Sequence, residues 1–284
     1  MHGKPVRYLD GLPQPDRCLV MGVLNVTPDS FSDGGQYLER DVAVKRGLDL
    51  LAQGADIVDV GGESTRPGAA RPSLEEEKRR VLPVVAALAE AGVLVSVDTM
   101  RAEVAHLALD AGAGLVNDVS GGQADDAMFE VVARHGAPYV LMHWRGHADQ
   151  MTKRADYTAV VDDVLAELAA QLEAATRAGI AEEKIALDPG IGFAKTADHN
   201  WALLHNLERL HELGRPVLVA NSRKRFLGLL LADEAGDPRP PLLCEDATTA
   251  TSVLAAAAGV WCVRTHSAQA TSDALRVVRR WADG

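Results

Sequence analysis

Eight short apolar runs, nearly all closing on or beside a polar side chain, alternate along the whole chain with longer stretches in which Leu and Ala recur every three or four residues. That alternation of period two with period 3.6 marks parallel strands joined by crossover helices. The predicted strands are Cys18–Asn25, Asp56–Gly61, Leu94–Asp98, Gly114–Asn117, Tyr139–His143, Lys184–Asp188, Pro216–Ala220 and Val260–Arg264, and helical patterns lie over Leu74–Ala91, Ala102–Ala111, Tyr157–Ala178 and Asn200–Leu213. Eight strands with intervening helices are the number that closes an α/β unit into a single (β/α)8 TIM barrel. A doubly wound open sheet is the rival architecture, but Gly61, Gly62 and Gly68 lack the G-x-G-x-x-G order of a dinucleotide fold. The segment Ala232–Leu243, rich in Pro, Gly and Asp, reads as a surface insertion.

At 284 residues and 47% hydrophobic content the chain suits one barrel domain over residues 1–284, with the core over about 18–281. A net charge of −11 argues against a nucleic-acid ligand, since counterion release needs a basic face. Residues 1–10 are polar, without the apolar core of a secretory leader, and no apolar run is long enough to span a bilayer. Cys18, Cys244 and Cys262 are three in number and far apart, unlike a zinc site or a disulfide framework. A cytoplasmic protein without membrane partners is expected.

In such a barrel a polar residue at the carboxyl end of a strand points into the mouth where the loops gather. Asn25, Asp98, Asn117 with Asp118, His143, Asp188, the trio Ser222, Arg223 and Lys224, and Arg264 with His266 all stand at predicted strand ends. Any single Asp, Asn or Ser there reads equally well as a helix cap. Caps do not account for Lys224, Arg264 and His266 on the same rim. Asp98, Asn117, Asp188 and Lys224 supply acceptors and donors for the edge of a flat heterocycle with amino and lactam groups. Arg66, Arg264, His266 and Asn25 suit an anion and its Mg²⁺, an ion that takes few protein ligands.

The segments that carry these residues resemble the motifs of the dihydropteroate synthase family. They are Met21–Gly35 (MGVLNVTPDSFSDGG), Asp59–Gly68 (DVGGESTRPG), Ser96–Thr99 (SVDT), Val116–Gly122 (VNDVSGG), Asp188–Lys195 (DPGIGFAK) and Ser222–Arg225 (SRKR). The resemblance implies a transferase of folate biosynthesis that joins a dihydropterin diphosphate to p-aminobenzoate and releases pyrophosphate. It assigns Asp98, Asn117, Met142, Asp188, Phe193, Lys224 and Arg264 to the pterin. Asn25, Thr65, Arg66, Arg264 and His266 go to the diphosphate, with Asn25 also a ligand of Mg²⁺, and Phe31, Pro67, Ser222 and Arg223 go to p-aminobenzoate. Asp98, Lys224, Arg264 and His266 carry the catalytic role. The loops Thr27–Tyr37 and Glu63–Arg71 are expected to close over the substrates, sulfonamides to act as inhibitors, and the chain to form a homodimer; the apolar tail helix Ala268–Trp281 suits a part in that contact, and amphipathic packing on the barrel explains it equally well. No nucleophile elbow and no Cys–His pair calls for a covalent intermediate.

Two departures from the family pattern stand out. Ala220 and Asn221 precede Ser222 where the family has Gly and a small residue, and Ser267 follows His266 where the family has Asp. They leave room for a paralogue with altered aryl-amine selectivity or a non-catalytic pterin-binding protein, and they imply weakened sulfonamide binding, since a sulfonamide would lie near Ser222 and Asn221. A corrinoid-dependent methyltransferase shares the pterin barrel but has no need of Ser222, Arg223 and Lys224.

Overall fold

The computed structural model describes Pro5 and residues 8–27, 36–63, 71–146 and 154–282. Strands β1 (Leu19–Asn25), β2 (Ile57–Gly61), β3 (Val95–Asp98), β4 (Leu115–Asp118), β5 (Tyr139–Met142), β6 (Ile185–Asp188), β7 (Leu218–Val219) and β8 (Cys262–Thr265) are interleaved with helices α1 (Gln36–Ala52), α2 (Leu74–Glu90), α3 (Ala102–Asp110), α4 (Met128–His135), α5 (Val160–Arg177), α6 (Ala197–His205), α7 (Leu207–Leu210), α8 (Arg225–Leu230), α9 (Glu245–Ala257) and α10 (Ala268–Ala282). All ladders are parallel, in the order β6-β5-β4-β3-β2-β1-β8-β7. A bridge between Leu187 and Val217 joins β6 to the start of β7 and closes the ring.

The period-two pattern sorts side chains to two sides of this wall. Leu19, Met21, Ile57, Leu115, Val140, Ala186, Leu218, Ala220 and Cys262 fill the barrel interior. Val20, Leu24, Val58, Val60, Val95, Val97, Val116, Tyr139, Leu141, Ile185, Leu187, Val219 and Val263 face outward under the helices. Leu9 and Leu12 join the interior cluster, so the segment before β1 plugs the floor of the barrel. Leu9 is completely buried, which stabilises the closed form by roughly 1.5–3 kcal/mol.

Helix starts are set locally. Ser73 accepts the Glu76 N–H ahead of α2, with Glu75, Glu76 and Glu77 in its first turn, and Thr196 with His199 forms a capping box on α6. Two expectations change. The pattern over Asn200–Leu213 is a helix broken at Asn206, which separates α6 from α7 and turns its side-chain amide back on the Ala202 carbonyl at 2.8 Å, an alternative to the helical ladder open to Asn. The seventh strand shrinks from Pro216–Ala220 to Leu218–Val219, because Pro216 has no N–H to donate and only its carbonyl is used, by Leu187 N–H at 2.8 Å. The Pro-rich insertion is exposed and joins α8 to α9.

Candidate active site at the barrel mouth

Counting by twos from the interior apolar residues brings Asn25, Asp59, Ser96, Asp98, Asn117, Met142, Asp188 and Arg264 to the inner face of the wall, layer above layer. Met21 pairs with Arg264, Gly61 with Asp98, Asp98 with Asn117 and Met142 with Asp188, so neighbouring strands present these groups at nearly one level. The centre is Arg264. Its Nε donates to Asp59 Oδ2 at 2.6 Å and its Nη2 to Asp98 Oδ2 at 2.7 Å. Asn117 Nδ2 donates to the same Asp59 oxygen at 3.0 Å. Gly61 leaves the space beside Asp98: a Cβ there would stand 3.3 Å from that of Asp98.

The turn after β6 sets the opposite wall. Asp188 Oδ1 accepts the Gly190 N–H at 2.7 Å, and the chain passes Gly190 and Gly192 at φ of +67° and +81°. A Cβ at Gly192 would stand 2.7 Å from Lys224 Cδ, so the absence of one lets the lysine stem cross this turn. Lys224 then donates to the Ile191 carbonyl and sits 4.4 Å over the Phe193 ring. Met100, Val119 and Met142, with Ala124, Trp144 and Phe193 packed on them, make an apolar wall above the polar ring.

Burial governs the electrostatics. It raises Asp98 to about 7 against the opposing pull of Arg264, with the neighbouring Asp59 charge adding to the rise. Burial likewise raises Asp188, opposed by Lys224, and lowers Lys224 to about 8. For Arg264 burial acts against the charge, yet Asp59 and Asp98 outweigh it and raise the group.

On the last strands, Ser222 Oγ lies 2.9 Å from His266 Nδ1 and accepts the His266 backbone N–H at 3.2 Å. The simplest proton arrangement has the hydroxyl donating to Nδ1 and the ring proton on Nε2. Arg223, at φ +58°, donates its backbone N–H to Thr248 Oγ1 at 3.1 Å and pairs its guanidinium with Glu245. Thus Asp98, Asn117, Met142, Asp188, Phe193, Lys224 and Arg264 come together, Ser222 joins His266, and Asn25 ends β1 on the same inner face. Phe31, Thr65, Arg66 and Pro67 lie outside the described residues, as do most of the two expected lid loops.

Three strand-end residues differ from expectation. Asp118 faces outward, where it accepts from Ser120 N–H at 2.8 Å, Gly122 N–H at 2.8 Å and Tyr139 O–H at 2.8 Å. His143 also turns behind the wall, accepting from Lys195 Nζ at 2.9 Å and donating from Nε2 to Glu167 at 2.9 Å. Burial, then the charge of Lys195, lowers this histidine to about 4, and burial lowers Lys195 to about 7. Asn221 is completely buried, with neither amide atom hydrogen-bonded. The Asn221 amide therefore has no surface open to the mouth among the described residues.

Sequence reading missed two groups. Asp59 carries no assigned role there, although a carboxylate amid Ile57, Val58 and Val60 in a buried strand requires a cationic partner. Glu77 is the other: completely buried, it accepts from Thr99 Oγ1 at 2.6 Å and Arg101 Nη1 at 2.9 Å, bracing the chain just past Asp98.

Residues 21–266 match the family described as "Pterin binding enzyme". The dihydropteroate synthase of Mycobacterium leprae (strain TN) is 53% identical over 263 residues, covering 92% of this chain and 93% of that protein. A crystallised Xanthomonas albilineans dihydropteroate synthase with 4-aminobenzoic acid is 42% identical, with a TM-score of 0.87 over 95% of this chain and 94% of that one. The Yersinia pestis enzyme in a sulfonamide drug complex is 40% identical, with a TM-score of 0.89 and full coverage of both chains. With the barrel, the inward polar ring and these likenesses in agreement, the chain belongs to the pterin-binding enzymes and, within them, to the dihydropteroate synthases.

Proposed function

We propose that the mouth holds a dihydropterin diphosphate by its ring, with Asp98 and Asp188 accepting, Lys224 donating and Asn117 doing both along the heterocycle edge, while Met142 and Phe193 cover its faces. The observation that carries this reading is Arg264 fixed between Asp59 and Asp98, a planar cation braced on the floor of the polar ring. The exocyclic C–O bond breaks and the electron pair leaves with the diphosphate. The positive charge on the methylene spreads into the pterin, stabilised by the Asp98 carboxylate. The amine of p-aminobenzoate then forms the C–N bond and loses a proton, giving dihydropteroate and pyrophosphate.

His266, held by Ser222, and Arg264 favour the diphosphate, with Thr65 and Arg66 completing its site. Phe31, Pro67, Ser222 and Arg223 frame p-aminobenzoate, and sulfonamides compete at that end. Asn25 offers a hard neutral oxygen at the end of β1, a donor that fits Mg²⁺. When bound, Mg²⁺ neutralises diphosphate oxygens and leaves ring recognition to the side chains above.

The 284 residues are taken as one domain of a homodimer. The dimer reading is favoured by Leu230, Leu242, Leu243, Leu254, Val277 and Trp281, all at least 62% exposed on α8, α9, α10 and the turn before α9. A cytoplasmic setting agrees with the buried thiols of Cys18, Cys244 and Cys262, none of them in a disulfide.

The direct test supplies the dihydropterin diphosphate, p-aminobenzoate and Mg²⁺ and follows pyrophosphate and dihydropteroate together. Equal amounts of both are expected, with Lys224→Ala losing pterin affinity and turnover by about 5- to 150-fold, since one buried partner is worth ~1–3 kcal/mol. Pyrophosphate without the coupled product, or an undiminished Lys224→Ala, overturns the reading.

A further inference from the structure

Three side chains that the mouth does not use converge toward the opposite end of the barrel. His106 and Asp110 lie four residues apart on one face of α3, and His135 is the last residue of α4, which packs alongside. His106 Nδ1 stands 2.8 Å from His135 Nε2. The Asp110 carboxylate places one oxygen 3.7 Å from His106 Nε2 and the other 4.0 Å from His135 Nε2. Among the described residues this is the one group of three or more His, Cys, Asp or Glu whose ligand atoms all lie within 4.8 Å of one another.

We propose that His106, Asp110 and His135 form a binding site for a divalent transition-metal ion of the zinc type, which staples the C-terminal ends of α3 and α4. Two imidazoles and a carboxylate are the donor set of Zn²⁺, Co²⁺, Ni²⁺ or Cu²⁺, not of Mg²⁺ or Ca²⁺. Ligand nitrogens about 2.0–2.1 Å from a tetrahedral ion stand about 3.3 Å apart, so the two rings need to open by only about 0.5 Å. The side chains have that freedom: His106 is 40% exposed and Asp110 55%. Both helices present the negative ends of their dipoles here, which favours a cation. Of the nearby basic groups, Arg134 is paired with Glu130, and Lys184 donates to the Gly136 carbonyl at 2.6 Å. Asp110 and the two imidazoles thus meet the ion, with a fourth position left to water. Because α3 starts beyond β3 at the mouth and runs back along the barrel, the site lies away from the proposed Mg²⁺ position at Asn25.

The test titrates the purified chain with Zn²⁺ by calorimetry and with Co²⁺ by visible absorption, beside His106→Gln, His135→Gln and the double variant. One tight Zn²⁺ per chain is expected, with the melting temperature rising by about 5 °C at a hundredfold excess over Kd. Each single variant weakens that binding by about 100-fold and removes the Co²⁺ ligand-field bands, with metal-free melting and dihydropteroate formation unchanged. Tight Zn²⁺ uptake that persists in the double variant places the ion elsewhere and overturns the proposal. So does a wild-type chain that takes up no more Zn²⁺ than the double variant.

Discussion

A single guanidinium sets the chemistry of the mouth. Arg264 faces two carboxylates, and burial, with the charge of Asp59 adding to it, outweighs the pull of Arg264 so that Asp98 keeps its proton up to about 7. Lys224, buried near Asp188, gives up its proton near 8. Pterin recognition by an ionised Asp98 and a protonated Lys224 therefore gives a narrow bell: kcat/KM is expected to rise through pH of about 7 and fall beyond about 8. Lys224→Arg, always charged, should remove the alkaline fall. Asp59→Asn, which leaves Arg264 to Asp98 alone, should move the acid rise to lower pH. Profiles unmoved by both substitutions would take these residues out of the titration. The same shifts bear on stability. Asp98 contributes stability below its unfolded value of 3.8 that is lost as pH climbs to about 7, whereas the penalty on protonated Lys224 persists below about 8 and is relieved between there and 10.5.

At the scale of elements, the turn from β6 to α6 couples the wall of the pocket to its support. Lys195 donates to the Phe193 carbonyl at 3.1 Å and to His143 Nδ1, and His143 in turn donates to Glu167 on α5. The turn is tied on one side to Lys224 through Ile191 and on the other to α5. Gly192→Ala puts a methyl at φ +81° and 2.7 Å from the Lys224 stem. It is expected to cost about 1–2 kcal/mol of stability and to weaken pterin binding more than p-aminobenzoate binding. Denaturant unfolding and calorimetry with each ligand check this, and equal losses for both ligands would remove the turn from ring recognition.

For the molecule as a whole, the six most exposed large apolar side chains among the described residues belong to α8, α9, α10 and the turn before α9. Leu242, Leu254 and Trp281 are 69%, 68% and 84% exposed. If they form the dimer contact, Leu242→Asp with Leu254→Asp should convert a dimer to a monomer in analytical ultracentrifugation, with little change in far-ultraviolet dichroism. A dimer that survives both charges would place the contact on another face.

What the chain declares by itself is periodic and local. The number of strands, the helices between them and the polar residues at strand ends are legible because each depends on side-chain order over a few residues. Asp98, Asn117, Asp188 and Lys224 are legible in this way, and the motif resemblance extends the set. What depended on closure of the ring was out of reach. Arg264 meets Asp59 across 205 residues and Asp98 across 166, and no local pattern specifies which carboxylate a distant cation will face. The same holds for Leu9 and Leu12 entering the barrel floor, for Asp118 and His143 turning behind the wall, and for the burial of Asn221. Sequence periodicity settled the fold class and the rim; tertiary closure decided the partners, because ion pairing and burial are properties of neighbours in space rather than in the chain.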